Sequence, residues 1–388
     1  MKILMFSSKF PPQIGGVENV VYSLAKEFIL RSHEVLVLTS LNLREQHVSK
    51  ASKLFSGFRV SKKEEKLDGI SVQKIFMSLP RSVFGFLSSP YRFTTSIWKI
   101  RRIIKKFKPD KINFHFPDDS LFYFYFSTIF LKNTIILNIH GNEIHLFSKN
   151  GVYKYFLNKI LAKAKSVVVN SEYMREAFNE VYSTYANKVT VIRNGLDFEK
   201  FKKSEPIPYS NKSYYLFIGR FDYKKGLDIL IKAFNQISKE VSRDLIIVGG
   251  PSGGTKEGAK SIDYFKSLVR GSNIKFVGRV PNDQVISYYK NAFYSVFPSR
   301  YEPFGIVALE SMACQTPFIA SSGGFNEIVK KTGGGVIFKT NSVKSLKNTL
   351  LRVDKDEHLR EKLSKNGLKN VKYYNWKDIS KEYLKLFS

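Results

Sequence analysis

The feature that most constrains the fold is a regular alternation of short apolar runs with longer segments of helical periodicity, which occurs twice along the chain. The apolar runs of the first half are residues 3–6, 35–39, 111–116, 135–139, 166–170 and 189–192. Those of the second half are residues 214–218, 245–248, 274–277, 294–297, 318–320 and 336–338. Strands that alternate with helices are joined by right-handed crossovers and form a parallel sheet covered on both faces. The sequence therefore predicts two consecutive, doubly wound α/β domains.

The domain boundary is predicted from a polar stretch at residues 197–213, DFEKFKKSEPIPYSNKS, which contains two prolines and is typical of a linker. We expect an N-terminal domain over residues 1–200 and a C-terminal domain over residues 201–388, since 388 residues are too many for one ordinary core. The final helix, at about residues 371–388, is expected to pack back towards the N-terminal domain. Residues 42–67 lack the alternation and are expected to form a mobile or variable loop region.

The expected ligand site is the cleft between the two domains. Ligands of open α/β sheets bind at the carboxyl ends of the strands, and a second domain makes the space between the sheets a natural pocket. Neither half carries a GxGxxG motif after its first strand, which argues against a simple dinucleotide enzyme.

The chain is strongly basic, with 63 Lys and Arg against 33 Asp and Glu, a formal charge of +30. A nucleic acid, an anionic membrane surface or an acidic substrate would each explain this excess. A lysine-rich background composition is the simpler alternative, and the spread of the excess over both halves favours it slightly. A single cysteine, Cys314, excludes a disulfide framework and a cysteine metal cluster, so we expect a reducing, cytoplasmic setting. The most hydrophobic segment, residues 121–131, is too short to span a bilayer.

One local basic cluster lies in residues 91–108. At helical spacing, the apolar residues of this segment form one stripe and basic residues occupy much of the remaining surface. This pattern is typical of a helix that lies on an anionic membrane surface, and equally of a helix that packs on a sheet with its lysine stems along the protein. Both interpretations stay open at this point.

Residues 294–321 contain two carboxylates in an unusual setting. A strand-like run is followed by a loop with Glu302, and Pro303 then occupies a position typical of the first residue of a helix. The helix predicted over residues 303–314 is apolar nearly all round, except for Glu310. Its first amides, at Phe304, Gly305 and Ile306, are expected to bind an anion. The alternative is that Glu302 caps the helix and that a core Lys or Arg neutralises Glu310.

Further candidate residues follow other predicted strands. Gly15 and Gly16 enter a helix, where the lack of side chains lets a ligand approach the backbone, although an ordinary turn would look the same. His140 follows the run at residues 135–139, and a single histidine there is more often structural than catalytic. Arg220 and Lys225, five residues apart, are typical of a clamp for a diphosphate, the alternative being solvated surface charge.

Taken together and in order, these segments resemble the retaining glycosyltransferases of family 4, which have the GT-B fold of two Rossmann-like, doubly wound parallel-sheet domains that face each other across a cleft. The matching segments are PPQIGGVENVV, LNIHGNE, VNSEY, VIRNGLDFEKF, FIGRFDYKKGLDILIKAF, LIIVGG, IKFVGRV, EPFGIVALE and GGFNEIV. The E-x7-E signature of that family corresponds to Glu302 and Glu310. The match is poor between Asn42 and about Lys108.

The resemblance implies a nucleoside-diphosphate sugar bound mainly by the C-terminal domain, with catalytic roles for His140, Arg220, Lys225 and Glu302. Arg220 and Lys225 would neutralise the diphosphate, Glu302 would hold a sugar hydroxyl and Glu310 the ribose hydroxyls. The implied donor-binding residues are Gly15, Gly16, Arg220, Lys225, Val277, Gly278, Arg279, Glu302, Phe304, Gly305, Ile306 and Glu310. No obligatory metal and no other cofactor are expected.

The predicted function is transfer of a sugar from a UDP- or GDP-sugar to a hydroxyl of a glycan or a lipid-linked acceptor. A sugar-nucleotide epimerase or hydrolase on the same fold is the alternative within enzymes, and a basic nucleic-acid-binding protein is the alternative from another class. No nucleic acid partner is expected, because the glycine turns would then be unexplained. The expected location is cytoplasmic, with contact to the cytoplasmic membrane face through residues 91–108 under the first interpretation of that segment.

Overall fold

A computed structural model of the chain describes residues 1–12, 15–41, 64–79, 83–141, 143–144, 151–202, 214–251, 256–271 and 273–388. These residues form two compact units. The first unit comprises Met1–Asn170, Met174–Arg193 and Trp376–Ser388, and the second comprises Ser171–Tyr173 and Asn194–Asn375.

The described part of the first unit contains an eight-stranded sheet. In chain order its strands are β1 (Lys2–Ser7), β2 (Glu34–Ser40), β3 (Glu65–Leu67), β4 (Ile70–Ile75), β5 (Lys111–His115), β6 (Thr134–Ile139), β7 (Ser166–Val169) and β8 (Val189–Val191). Their order across the sheet is β3-β4-β2-β1-β5-β6-β7-β8, and all the pairings are parallel except that of β3 with β4. The ends of β1, β5 and β6 are therefore neighbours at the carboxyl edge of this sheet.

The described part of the second unit contains a six-stranded sheet in which every strand pairing is parallel. Its strands are β9 (Tyr214–Arg220), β10 (Leu245–Gly250), β11 (Ile274–Gly278), β12 (Ala292–Phe297), β13 (Phe318–Ser321) and β14 (Gly335–Phe338). Their order is β11-β10-β9-β12-β13-β14, so β9 and β12 are neighbours although two strands separate them in the chain.

The helices connect these strands. In chain order they are α1 (Gly16–Leu30), α2 (Val83–Phe107), α3 (Ser120–Thr128), α4 (Gly151–Lys163), α5 (Glu172–Val181), α6 (Phe198–Lys202), α7 (Leu227–Asn235), α8 (Lys256–Ser267), α9 (Asn282–Lys290), α10 (Ile306–Ala313), α11 (Phe325–Thr332), α12 (Val343–Lys355), α13 (Glu357–Asn370) and α14 (Trp376–Phe387).

Both faces of the second sheet are buried, which explains why its strands are apolar without interruption. Tyr215 and Phe217 of β9 belong to one apolar cluster, whereas Tyr214 and Leu216 belong to another. Because successive side chains of a strand point to opposite faces, this division places one apolar layer on each side of the sheet.

The predicted alternation is confirmed, since every apolar run named above lies in or overlaps a strand. The strands Glu65–Leu67 and Ile70–Ile75 were not predicted, and the first of them is a correction to the loop expected at residues 42–67. Residues 42–63 of that loop lie outside the described residues. In the predicted linker, Phe198–Lys202 is helical, and residues 203–213 lie outside the described residues.

The last helix, Trp376–Phe387, belongs to the first unit, where it packs on α1. The rings of Phe28 and Phe387 lie 5.9 Å apart, edge to face. Arg31, at the end of α1, donates from Nη2 to the carbonyl of Lys377 at 2.6 Å.

The apolar stripe of α2 packs within the first unit. Ile100 and Ile104 are buried, and the ring of Phe93 lies 4.9 Å from that of Tyr123 in α3. The stripe therefore covers protein, as in the second interpretation of this segment, and any membrane contact must use other residues of the helix. Among the described residues, no helix combines the length and the apolar character that crossing a bilayer requires.

Candidate functional site

Arg220 ends β9 at the carboxyl edge of the second sheet, and the loop that follows carries Lys225. This loop forms a short 3₁₀ turn, Tyr223–Lys225, because the carboxylate of Asp222 accepts a hydrogen bond from the backbone N–H of Lys225 at 3.1 Å. The side chain of Arg220 is 63% exposed, and its Nε lies 3.5 Å from Oδ2 of Asp222. This guanidinium is accessible to an anion that it can bind at two points.

Lys225 is paired with Glu302. Its Nζ lies 2.7 Å from Oε2 of Glu302, and the same oxygen accepts a hydrogen bond from Oγ of Ser299 at 3.2 Å. Both side chains are mostly buried, with 24% of Lys225 and 12% of Glu302 exposed. Lys225 is therefore not a solvated surface charge.

Arg300 holds the loop after β12 against the loop after β9. Its guanidinium donates to both carboxylate oxygens of Asp228 at 2.7 Å and to the carbonyl of Tyr223 at 2.8 Å. Burial raises the pKa of Asp228, but the hydrogen bonds and charge of Arg300 outweigh this effect and keep that pKa below its ordinary value. The same hydrogen bonds raise the pKa of Arg300. Because Glu302 is two residues beyond Arg300, this clamp sets the position of Glu302 next to Lys225.

Two glycines allow the close backbone approaches of this site. Gly226 has a φ of +65°, and a Cβ there would lie 2.0 Å from the carbonyl oxygen of Pro298. Gly305 has a φ of +104°, and a Cβ there would lie 2.3 Å from the ring of Phe325. Side chains at these positions would therefore both strain the backbone and collide with neighbouring atoms.

The helix after Glu302 begins at Ile306, so the predicted helix over residues 303–314 begins too early and ends one residue late. Gly305 is its N-cap, and the left-handed conformation of Gly305 prevents the helix from extending back through Phe304 to Pro303. The alternative in which Glu302 caps this helix is therefore wrong. The N–H groups of Ile306 and Val307 belong to the first turn, where helix amides have no acceptor within the helix.

Glu310 lies in the second turn of α10, where its Oε2 accepts a hydrogen bond from the hydroxyl of the fully buried Tyr289 at 3.1 Å. Burial raises the pKa of Glu310 to about 7, although the hydrogen bond from Tyr289 and the charge of Lys200 lower it. The hydrogen-bond donor to the Glu310 carboxylate is thus the phenol of Tyr289, and not the core Lys or Arg of the alternative interpretation.

Residues 277–279 form the end of β11 and the loop after it. Val277 is exposed, and Gly278 has a φ of +90°. Arg279 donates through Nη2 to the carbonyl of Pro251, and its side chain lies against Gly250, where an added Cβ would meet it at 3.0 Å. Arg279 thereby links the ends of β10 and β11 at the same edge of the sheet as Arg220.

In the first unit, Gly16 begins α1 and Gly15 is its N-cap. A Cβ on Gly15 would lie 2.4 Å from Oε2 of Glu18, the buried carboxylate in the first turn of the helix. Gly15 therefore leaves room for the Glu18 side chain to fold back over the start of α1.

His140 follows β6 and contacts a second histidine. Its Nε2 lies 3.1 Å from Nδ1 of His115, the last residue of β5, and the two rings are stacked with centroids 5.4 Å apart. Burial, with the charge of Lys9, lowers the pKa of His140 to about 3. Burial, with the proximity of His140, holds the pKa of His115 well below its usual range. Both imidazoles are therefore neutral at pH 7.

Glu143 and Asn170 fix the backbone of His140. Oε1 of Glu143 accepts a hydrogen bond from the N–H of His140 at 2.9 Å, and Nδ2 of Asn170 donates to its carbonyl at 3.2 Å. Burial raises the pKa of Glu143 to about 7, against the backbone hydrogen bonds that lower it. The Glu143 carboxylate thus holds the backbone of the turn that contains His140.

Sequence reasoning missed several polar residues at this edge of the first sheet. They include His115 as well as Ser8 and Asp118, whose side chains bond to each other at 2.7 Å. Lys9 lies with its Nζ 3.8 Å from the centroid of the Phe116 ring. The available signal was their position. Ser8 and Lys9 follow β1, His115 ends β5, and Asp118 lies three residues beyond β5, the strand next to β6.

No group of three or more His, Cys, Asp and Glu side chains is arranged to hold a metal ion in the part of the chain that the structure describes. Cations at the edge of the second sheet include the side chains of Arg220, Lys225, Arg279 and Arg300.

Two family models match consecutive parts of the chain. The model for Glycosyltransferase Family 4 matches residues 14–200, and the model for Glycosyl transferases group 1 matches residues 197–370. A glycosyltransferase of Methanocaldococcus jannaschii is 31% identical over 255 residues, which cover 63% of this chain and 67% of that protein. The chain belongs to glycosyltransferase family 4.

Solved structures agree with the GT-B fold of this family 4 glycosyltransferase. Sucrose-phosphate synthase from Thermosynechococcus elongatus matches with a TM-score of 0.78 at 20% identity, over 100% of this chain and 98% of that one. Anabaena HepE in complex with UDP and glucose matches with a TM-score of 0.75 at 19% identity, over 99% of this chain and 98% of that one. The predicted fold class, two α/β domains with parallel sheets, is confirmed.

Proposed function

We propose that this family 4 glycosyltransferase transfers a hexose-type sugar from a UDP- or GDP-sugar to a hydroxyl of a glycan or a lipid-linked acceptor, with retention of the anomeric configuration. The observation that carries the proposal is the contact between Lys225 and Glu302 at the strand-end edge that also presents Arg220. A cation and a carboxylate side by side suit a ligand in which phosphates adjoin sugar hydroxyls. The complex of HepE with UDP and glucose makes UDP the first nucleotide to test.

The proposed reaction breaks the bond between the anomeric carbon and the leaving phosphate oxygen and forms a bond from the acceptor oxygen on the same face. The proton of the acceptor hydroxyl passes to the departing diphosphate, which balances the step. Arg220 and Lys225 stabilise the negative charge that grows on the diphosphate, and such stabilisation is often the largest catalytic contribution. Since these two side chains supply the charge that a divalent ion would otherwise supply, we propose a reaction with no obligatory metal and no other cofactor.

The other residues of the second unit are proposed to bind the rest of the donor. Glu310 accepts hydrogen bonds from the ribose, and Glu302 holds a sugar hydroxyl while Lys225 keeps the Glu302 carboxylate oriented. The amides of Phe304 and Gly305, which precede α10, and of Ile306, its first residue, face the sugar or the phosphates. The base lies near Val277, Gly278 and Arg279.

The residues of the first unit are proposed to complete the donor site. Gly15 and Gly16 let the diphosphate approach the backbone at the start of α1. His140, neutral at pH 7, contacts the donor sugar by a hydrogen bond. A neutral imidazole can donate through one nitrogen and accept through the other, which suits a hydroxyl group.

A thermal-shift screen with UDP, GDP, ADP and their sugars tests the donor assignment. A nucleotide at 100 times its Kd stabilises the folded chain by about 2.7 kcal/mol, which is readily seen as a rise in Tm. NMR of the product then reports whether the anomeric configuration is retained. If no nucleotide raises Tm and filter binding instead shows retention of RNA, the nucleic-acid alternative replaces this proposal. Turnover of the sugar nucleotide without transfer to any acceptor favours the epimerase or hydrolase alternative.

We further propose that the enzyme lies at the cytoplasmic face of a membrane, with α2 in contact with anionic lipids. The supporting observation is the exposed surface of α2. Trp98 is 57% exposed, and the guanidinium of Arg102 lies 5.5 Å from the centroid of its ring. Tryptophan beside cations is typical of segments at membrane interfaces. Salt-sensitive pelleting with anionic liposomes is the expected result, and unchanged pelleting of a variant with Lys→Glu changes in residues 91–108 contradicts the role of this helix.

A further inference from the structure

A pocket of about 550 Å³ lies in the first unit between the end of α2 and the segment that follows α3. Arg101, Lys105 and Lys108 line it together with the apolar side chains of Ile104 and Phe130. We propose that this pocket binds the phosphate headgroup of an anionic membrane phospholipid, with the first part of an acyl chain against the apolar wall. The inference rests on the proposed membrane contact and is independent of the proposed sugar transfer.

The charge of the pocket favours a phosphate. Among the described residues, no carboxylate lies within ion-pair distance of Arg101, Lys105 or Lys108. Arg101 is held in place, since its Nη2 donates to the carbonyl of Phe126 at 2.8 Å and its guanidinium lies 5.7 Å from the centroid of the Phe130 ring. Three cations without a compensating carboxylate create a positive site that a phosphodiester would neutralise.

The hydroxyl of Ser127 is a second, independent observation. Ser127 lines the pocket and is only 3% exposed, and its Oγ has no hydrogen-bond partner within the described part of the chain. A buried hydroxyl without a partner is costly, and most such groups are satisfied by a ligand or a water molecule. This oxygen has almost no accessible surface, so Ser127 donates to a phosphate in the pocket only after its side chain rotates towards the ligand.

The apolar surface beside the pocket favours a membrane lipid over a small phosphate ester. Phe130 is 83% exposed, and Ile129 next to it is also exposed. Large exposed apolar side chains that adjoin cations mark a surface that contacts hydrocarbon and anionic headgroups together. A free phosphate ester would use the cations and leave Phe130 in water.

Vesicle binding with two matched double variants tests the pocket. The first variant, Lys105→Ala with Lys108→Ala, removes two cations from the pocket lining. The control, Lys99→Ala with Lys106→Ala, removes two cations of the same helix that do not line the pocket, and Lys106 lines a different pocket, formed with Lys2 and Glu34. Binding to vesicles of phosphatidylcholine and phosphatidylglycerol in a 3:1 ratio is measured by co-sedimentation without any sugar nucleotide.

The pocket variant is expected to bind about 30-fold more weakly than wild type, and the control variant to lose less than about threefold. Equal losses of vesicle binding in the two variants contradict a lipid site in the pocket but agree with a general membrane contact. No binding of the wild-type chain overturns both the pocket and the membrane contact. Neither outcome touches the sugar-transfer proposal, which the nucleotide screen tests separately.

Phe130→Ala tests the apolar wall, and the exposure of this side chain means that the fold is expected to tolerate the change. Vesicle binding should fall about tenfold at both low and high salt, because an apolar contact is not screened by ions. Unchanged binding overturns the assigned acyl-chain contact. If inorganic phosphate alone or RNA binds in a manner that depends on Lys105 and Lys108 while phosphatidylglycerol vesicles do not, the proposed lipid is wrong.

Discussion

Nζ of Lys225 lies 2.7 Å from Oε2 of Glu302, so an ion pair joins the loops that follow β9 and β12. The diphosphate contact and the sugar contact that we propose are therefore one unit, in which each side chain orients the other. A change in either residue is expected to affect both parts of the donor site. This coupling leads to the first prediction.

Lys225→Ala is expected to lower kcat/KM by about 10²- to 10³-fold, as the loss of one charge-stabilising group in an active site usually does. Unfolding free energy should fall by about 1 to 3 kcal/mol, since the mostly buried carboxylate of Glu302 loses its cation. Lys224→Ala is the matched control, because Lys224 lies in the same turn with its side chain exposed. If steady-state kinetics place kcat/KM of both variants within threefold of wild type, the catalytic role assigned to Lys225 is wrong.

Arg300→Lys is expected to destabilise the chain by about 2 kcal/mol and to reduce turnover as well. Lysine cannot reproduce the two-point contact with Asp228, and the loop that positions Glu302 would lose its attachment. Lys232→Ala is the control, because Lys232 also approaches Asp228, at 4.0 Å, but is half exposed. Urea denaturation should show less than about 0.5 kcal/mol for this control. Equal effects of the two substitutions contradict a specific role for the Arg300 clamp.

Glu310→Ala is expected to weaken binding of the cognate nucleotide by about tenfold or more, since hydrogen bonds to a charged group contribute about 1.5 to 3 kcal/mol. Tyr289→Phe removes the hydroxyl that bonds to Glu310 and keeps the carboxylate, so nucleotide affinity should stay near that of wild type. Isothermal titration calorimetry on both folded variants separates the alternatives. Unchanged affinity in Glu310→Ala would leave this carboxylate with a purely structural role.

The stability of the first unit is expected to depend on pH through His140. The pKa of this residue is about 3 in the folded chain against an ordinary 6.5, so the unfolded chain binds more protons between these values. The stabilisation is present above pH 6.5 and is lost progressively as pH falls from 6.5 towards 3. Between pH 7.5 and 5, wild type should lose about 1 to 2 kcal/mol more unfolding free energy than His140→Gln.

His358→Gln is the control for this measurement, because His358 is an exposed histidine in α13. It should keep the pH dependence of wild type in urea titrations at each pH. Parallel curves for wild type and His140→Gln would contradict the lowered pKa of His140.

The positions of the strands were predictable because burial on both faces of a parallel sheet selects uninterrupted apolar runs such as LIIVGG in β10. The strand Ile70–Ile75, with the sequence ISVQKI, was not predicted because it is not buried on both faces. It lies next to the edge strand β3 and buries only part of its side chains, so its sequence is half polar. The start of α10 was misjudged because Pro303 is typical of a first helical residue, whereas the conformation of Gly305 decides where the helix begins.

The sequence predicted which candidate residues lie near strand ends, but it did not predict their contacts. Lys225 and Glu302 follow strands as expected, whereas Arg220 is the last residue of β9. Their contacts depend on the order of the strands, which places β12 beside β9 although β10 and β11 intervene in the chain. The pair of His115 and His140 has the same origin, because only the adjacency of β5 and β6 brings the two rings together. No local pattern encodes such adjacency.

The assignment of α14 to the first unit makes the second unit an insertion in that unit's sequence. A ribosome thus completes Asn194–Asn375 before it delivers the helix that covers Phe28 and binds Arg31. The first unit therefore remains unfinished, with part of α1 uncovered, until α14 has been translated. An N-terminal fragment that stops at Arg193 is expected to be poorly soluble, and co-expression of residues 376–388 as a separate peptide is the way to restore it.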